Sequence, residues 1–169
     1  MAKPGKKMAR REKPEFEQKL LNLARVTRVV KGGRRFRFRA TLVIGNRRGK
    51  VGVGVAKGAD VSDAIQKAYN DAKKNLISIE LAGLTITHDI SAKLGSARVL
   101  LKPASAGRGV IAGGAVRAVV DLLGVKDIVS KSLGASNPLN VARVTIKALL
   151  KLKAPRATKA VKEKNTTAV

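Results

Sequence analysis

Residues 107–112, Gly107-Arg108-Gly109-Val110-Ile111-Ala112, carry the glycine spacing of a dinucleotide-binding turn, and Asp127 lies twenty residues further on, where a ribose ligand would sit. That motif must follow directly on a buried parallel strand. Here Pro103-Ala104-Ser105-Ala106 intervenes after a segment flanked by Arg98 and Lys102, and the chain has no room for the remaining parallel strands. Two other readings of the glycines stay open: a helix N-terminus whose free N–H groups hold an RNA phosphate beside Arg108, or a turn that merely starts a helix. His88 stands between Thr87 and Asp89, but without a second base or a nucleophile nearby it is given no catalytic role. The acids are scattered, and the one close pair, Asp60 and Asp63, belongs to a helix start. Zero cysteines remove disulfides, thiolate nucleophiles and zinc ribbons, and one histidine builds no metal cluster. No enzyme, metal, cofactor or small-molecule substrate is expected.

Cations dominate instead. The 169 residues hold 36 Lys and Arg against 11 Asp and Glu, a formal charge of +25. With 44% apolar residues the chain still fills a core, so it is not a disordered basic tail. A self-repelling excess on a folded domain calls for a polyanion, and nucleic acid is the leading partner. No apolar run approaches the roughly 18 residues of a membrane span, and the basic start leads into no signal-peptide core. A soluble, cytoplasmic protein without a membrane partner is expected.

The charge is concentrated: Gln18 to Ala59 contains 12 basic side chains in 42 residues and no acid. Arg35, Arg37 and Arg39 alternate with Phe36, Phe38, Ala40, Leu42 and Ile44, which predicts a strand with guanidiniums on one face and apolar groups on the other. Leu21 to Val30 is its expected partner, joined through Lys31-Gly32-Gly33-Arg34, where both glycines are expected at positive φ. A second turn at Asn46-Arg47-Arg48-Gly49-Lys50 leads into Val51-Gly52-Val53-Gly54-Val55, whose bare glycine face predicts the close approach of another backbone or a packed helix, the alternative being simply a weak strand. Asp60 to Leu76 is read as that helix, capped by Asp60 or Ser62, with Val61, Ala64, Ile65, Ala68, Ala72 and Leu76 on its buried stripe.

In the second half, strands are predicted over Ile77–Leu81, Thr85–Ile90 and Arg98–Lys102, a helix over Val110–Leu123 stopped by Gly124, and a strand around Lys126–Ser132. A last helix starts at Asn137-Pro138 and runs to about Lys153, burying Leu139, Ala142, Ile146 and Leu149 and exposing Arg143, Lys147 and Lys151. The fold class is α+β: a basic arm over 1–14, a βββα domain over 15–78, an α/β domain of order βββαβα over 79–153, and a basic tail over 154–169. The expected RNA-binding set is Arg25, Arg28, Lys31, Gly32, Gly33, Arg34, Arg35, Arg37, Arg39, Arg47, Arg48, Lys50, Lys57 and Arg108. Arginine suits folded RNA because its planar fork grips phosphate bidentately and stacks on bases. The alternation turns Phe36 and Phe38 inward, so no aromatic platform for single strands is expected.

Several motifs in fixed order are recognisable. Glu17-Gln18-Lys19-Leu20, Lys31-Gly32-Gly33-Arg34-Arg35-Phe36, Gly49-Lys50-Val51-Gly52-Val53-Gly54, Ala64-Ile65-Gln66-Lys67-Ala68, Thr85-Ile86-Thr87-His88, Gly107 to Gly114 and Asn137-Pro138-Leu139-Asn140 closely resemble the bacterial small-subunit ribosomal protein S-five family. The resemblance covers about residues 15–153. It departs from the family's usual pattern at Ala56-Lys57-Gly58, Ser62 and Arg108. It implies an N-terminal fold like double-stranded-RNA-binding domains, a C-terminal two-layer α/β domain, and a structural role in the small ribosomal subunit. The loop Arg28 to Arg34 would then reach ribosomal RNA near the head–body junction, with Lys31, Gly32 and Gly33 beside the spectinomycin pocket. It further implies a place along the messenger-RNA entry path, contacts with ribosomal proteins S-four and S-eight, and an influence on decoding accuracy. A nucleoid DNA-binding protein fits the charge as well, but it requires a dimer surface that the sequence does not display.

Overall fold

A computed structural model describes residues 15–81 and 83–152; the predicted basic arm and tail lie outside the described residues. The chain runs β1 (Glu17–Val30), β2 (Gly33–Gly45), β3 (Lys50–Gly58), α1 (Val61–Lys74) and β4 (Ile77–Ser78). It continues through β5 (Ile90–Leu94), β6 (Ala97–Pro103), β7 (Val110–Ile111), α2 (Gly114–Leu123), β8 (Ile128–Gly134) and α3 (Pro138–Leu150). Two mixed α+β domains result. The first holds an antiparallel sheet of order β1-β2-β3-β4, and the second a sheet of order β5-β6-β8-β7 in which β7 runs parallel to β8.

The base of the first sheet is covered on both faces. Ala40, Leu42 and Ile44 pack on Ala64, Ala68 and Ala72 of α1. Because β2 side chains alternate, Val43 points the other way and joins Val51 and Val53 in one core with Val119, Leu123, Val144 and Leu149 of α2 and α3. The far side of that helix pair meets Ala92, Val99, Leu101 and Ile128 of the second sheet. The order of layers is therefore α1, first sheet, α2 with α3, second sheet.

Backbone contact explains the glycine face of β3. A Cβ at Gly52 would stand 2.5 Å from the Ala72 carbonyl oxygen, and one at Gly54 would strike the Ala68 oxygen and the Ala72 nitrogen. Helix and strand approach to a distance that only glycine allows, as the bare face predicts.

The two domains also share hydrogen bonds. The last carbonyls of a helix have no partner within it. In α2, Leu122 O accepts from Arg47 N at 2.9 Å and Leu123 O from Gly49 N at 2.9 Å, so the β2–β3 turn completes the end of a helix in the other domain. Gly124 terminates α2 at φ 102°, as expected, and a Cβ there would collide with the Arg47 backbone. Asn137 caps α3 by accepting from Leu139 N at 3.1 Å, with Pro138 at the first helical position.

Four expectations need correction. The segment 77–81 contributes only β4, and that pairs with β3 rather than opening the second domain. Thr85–Ile90 is mostly irregular, and the strand lies instead at Ile90–Leu94, where Ile90 and Ala92 face inward opposite Leu101 and Val99. Val110-Ile111 is not helical: the pair forms β7, and α2 begins at Gly114. Asp60 occupies the cap position of α1 without a side-chain cap bond; its carbonyl accepts from Ala64 N instead. The order βββαβα holds for the second domain, although two of its three leading strands are not those the pattern suggested.

Candidate nucleic-acid interface

Strand lengths create the site. β1 has 14 residues and β2 has 13, but β3 has nine, and its pairing with β2 ends at Phe38↔Gly58. Beyond that point β1 and β2 continue alone, from Val26↔Arg37 to Val30↔Gly33. A two-stranded ribbon projects from the domain with both faces open, and Lys31-Gly32 forms its two-residue tip.

Register sorts the cations by face. Arg35, Arg37 and Arg39 alternate along β2, and Arg28 stands directly opposite Arg35. These four guanidiniums share one face. Lys57 of β3 lies opposite Arg39 and extends the row toward the domain. Arg34 projects from the other face with Arg25, and Lys31 sits at the tip. All eight are exposed. Among the described residues the ion pairs are Lys19 with Asp121, Arg47 with Glu17, Lys67 with Asp63, and Lys102 with Asp89, so none of the eight is neutralised.

Arg47, Arg48 and Lys50 belong to a different place. They occupy the β2–β3 turn at the opposite end of β2, about 40 Å from the ribbon tip at strand spacing. Asn46 Oδ1 accepts from Arg48 N at 2.8 Å and from Lys50 N at 3.0 Å, which fixes the turn. Arg47, at φ 55°, uses its backbone for the domain junction and its side chain on Glu17 Oε2 at 2.7 Å. Arg108 is exposed in the loop between β6 and β7, far from the ribbon in the layer order. The structure thus gathers eight of the predicted cations and leaves four elsewhere.

The glycine motif has a plain explanation. Gly109 N donates to Asp127 Oδ1 at 2.8 Å, and Asp127 is only 4% exposed. The carboxylate that would hold a ribose holds the loop instead. With α2 starting at Gly114, no helix N-terminus lies beside Arg108. His88 Nδ1 contacts Thr87 Oγ1 at 2.9 Å, and Asp89 pairs with Lys102 rather than with the imidazole. Among the described residues no cluster of His, Cys, Asp and Glu could hold a metal, and no helix is long and apolar enough to cross a membrane.

One feature escaped the sequence reading. Phe36, assigned to the core by alternation, is 45% exposed, and the Arg25 guanidinium carbon lies 3.6 Å from its ring centroid. Phe38 is half-buried and packs under α1 as expected. The available signal was the length of β3: with nothing beyond Gly58, the inward side of Phe36 has no helix or strand to cover it.

The comparisons agree with this architecture. The family model "Ribosomal protein S5, N-terminal domain" matches residues 16–80, and "Ribosomal protein S5, C-terminal domain" matches 92–164. Proteins named "Small ribosomal subunit protein uS5" from two Campylobacter jejuni strains, 81-176 and 81116, are each 54% identical over 146 residues, covering 86% of this chain and 99% of the relative. Two domain matches in order and identity over nearly the whole length of such relatives establish that the chain belongs to the ribosomal protein S5 family.

Proposed function

We propose that this chain, a structural constituent of the small ribosomal subunit and not an enzyme, grips folded ribosomal RNA with its projecting ribbon near the head–body junction. The observation that carries the reading is the set of eight exposed cations, Arg25, Arg28, Lys31, Arg34, Arg35, Arg37, Arg39 and Lys57, with no carboxylate partner. Phosphates supply the missing charge, and counterion release makes the contact favourable. A ribbon open on both faces can enter a junction between RNA helices, whereas a flat sheet face cannot.

Within that reading Lys31, Gly32 and Gly33 form the tip beside the spectinomycin pocket, and Arg47, Arg48, Lys50 and Arg108 serve separate, peripheral RNA contacts. The exposed row formed by Arg143 and Lys147 on α3 and Lys151 at its C-terminal cap is available for the messenger-RNA entry path. Contacts with ribosomal proteins S-four and S-eight, and the influence on accuracy, fit a body whose remaining surface is less charged. The test is a tip variant, Lys31→Glu or a deletion of Gly32, incorporated into subunits. Altered spectinomycin susceptibility with near-normal assembly is expected. Normal assembly with unchanged drug binding would reduce the tip to a turn.

A further inference from the structure

The ribbon has two chemically different faces: one carries cations alone, and the other combines Arg25 and Arg34 with the Phe36 ring. On the face opposite Arg28, Arg35, Arg37 and Arg39, register places Arg25 across from Phe38 and the small Thr27 across from Phe36. Thr27 leaves the Phe36 ring uncovered, and Arg25 reaches diagonally onto it, guanidinium carbon 3.6 Å from the centroid. Such a contact has a favourable electrostatic component because the ring face is electron-rich. Both partners remain exposed, so the pair is held ready at the surface.

From this geometry we infer that Arg25 and Phe36 form a stacking platform for one unpaired nucleobase, while the opposite face holds the backbone phosphates. A base completes a stack of π planes, and the guanidinium edge keeps donors free for its acceptor groups. Val29, 76% exposed, stands two residues along β1 from Thr27 on the same face and gives a base an apolar neighbour. An apolar protein surface fits less well. It would bury the donors of Arg25 beside Phe36 without acceptors, at a substantial desolvation cost. The inference rests on the RNA-binding reading above and adds to it a base-dependent contact that phosphate binding lacks.

Two probes separate the contributions. The full chain is titrated with an oligoadenylate of about 12 nucleotides, within the usual single-strand site size, and with an abasic ribose-phosphate strand of equal length at matched salt. The native chain should bind the adenylate about tenfold more tightly, the scale of one stacked base. Phe36→Leu should bring that ratio close to one while leaving the salt slope unchanged, and Phe36→Tyr should retain it. Arg35→Ala with Arg37→Ala should weaken both probes equally and preserve the ratio. If Phe36→Leu fails to fold, Arg25→Gln replaces it, read through the ratio alone because the loss of this cation also makes the salt slope shallower. A ratio that survives Phe36→Leu, or a native ratio of one with the salt slope intact, overturns the platform, and the latter result gives this face to a protein partner. A native ratio near ten with no salt dependence would leave the platform standing and overturn the phosphate reading.

Discussion

The same strand, β2, is a core at one end and a probe at the other. From Ala40 to Gly45, β2 is buried at every position, with α1 against its even-numbered side chains and the helices of the second domain against Val43. From Arg34 to Arg37 every residue is exposed. No change of backbone marks the boundary. It falls where β3 ends, because two strands alone bury too little surface to exclude water. Charge follows the same boundary: guanidiniums accumulate where solvent reaches both faces and where no domain must be packed. The ribbon owes its direction and register to the buried base.

Substitutions on either side of that boundary should therefore separate stability from affinity. Leu42→Ala removes a fully buried side chain between β2 and α1 and should cost about 2–5 kcal/mol in denaturant unfolding. Its RNA salt slope, measured where the variant is still folded, should stay unchanged. Replacing Arg28, Arg35, Arg37 and Arg39 together by Ala should do the opposite. The slope of log K against log salt should become shallower by about 3, from roughly 0.7–0.9 per phosphate. The melt should change little, because these side chains stand in solvent. A large loss of stability in the quadruple variant would mean that the ribbon packs against something, and a normal slope would mean that its cations are idle.

Much of this contrast is legible in the sequence. Alternation at 35–44, the valine–glycine pattern at 51–55 and the cap at Asn137-Pro138 each describe a local constraint, and local constraints survive into the fold. What the sequence conceals is distance between segments. Alternation says which side of β2 Phe36 occupies, but the length of β3 decides whether anything covers it. Val110-Ile111 has apolar side chains suited to a helix or a strand, and the choice is made by β8, which offers a parallel edge, with Asp127 fixing Gly109. The polar segment Thr85–Ile90 shows an alternation that the structure spends on a bridge: Thr85 Oγ1 donates to Asp127 O at 2.6 Å. The cationic ribbon was visible as composition. Its division into two faces was visible in part, since the pairing of Arg28 with Arg35 depends on register.

The tip sharpens the comparison at a smaller scale. Both glycines were expected at positive φ, yet only Gly33 is, at 135°, and neither has a neighbour within 4 Å of an added Cβ. Space is therefore no obstacle at either position, and backbone conformation alone discriminates between them. Gly33→Val should cost about 1–3 kcal/mol, confined to the ribbon, whereas Gly32→Val should be close to neutral. Amide hydrogen exchange reads this directly: faster exchange at Val30 and Arg34 in the first variant, with Leu42 and Val43 unchanged. Equal effects from the two substitutions would contradict the turn geometry.

The smallest effect concerns the cations that do have partners. On α1, Lys67 donates to Asp63 Oδ2 at 2.8 Å, one turn apart, in contrast to the unpaired ribbon. The hydrogen bond from Lys67 holds the Asp63 carboxyl below the usual carboxylate range, helped by its charge and by a backbone bond at Ala59 and opposed by desolvation. Because the folded pKa is depressed, the stabilisation is present above the unfolded value, near 3.9, and disappears as pH falls through the folded one. Asp63→Asn should accordingly melt slightly below the native chain at neutral pH, and the gap should close in acid. Both proteins gain positive charge together as the other carboxylates protonate, so the difference between them isolates this one group. The pair is solvent-exposed and screened, so added salt should narrow the neutral-pH gap as well. A gap independent of pH would assign the loss to helix propensity at position 63 rather than to the ion pair, and would place α1, like the ribbon, among surfaces whose charges contribute nothing to folding.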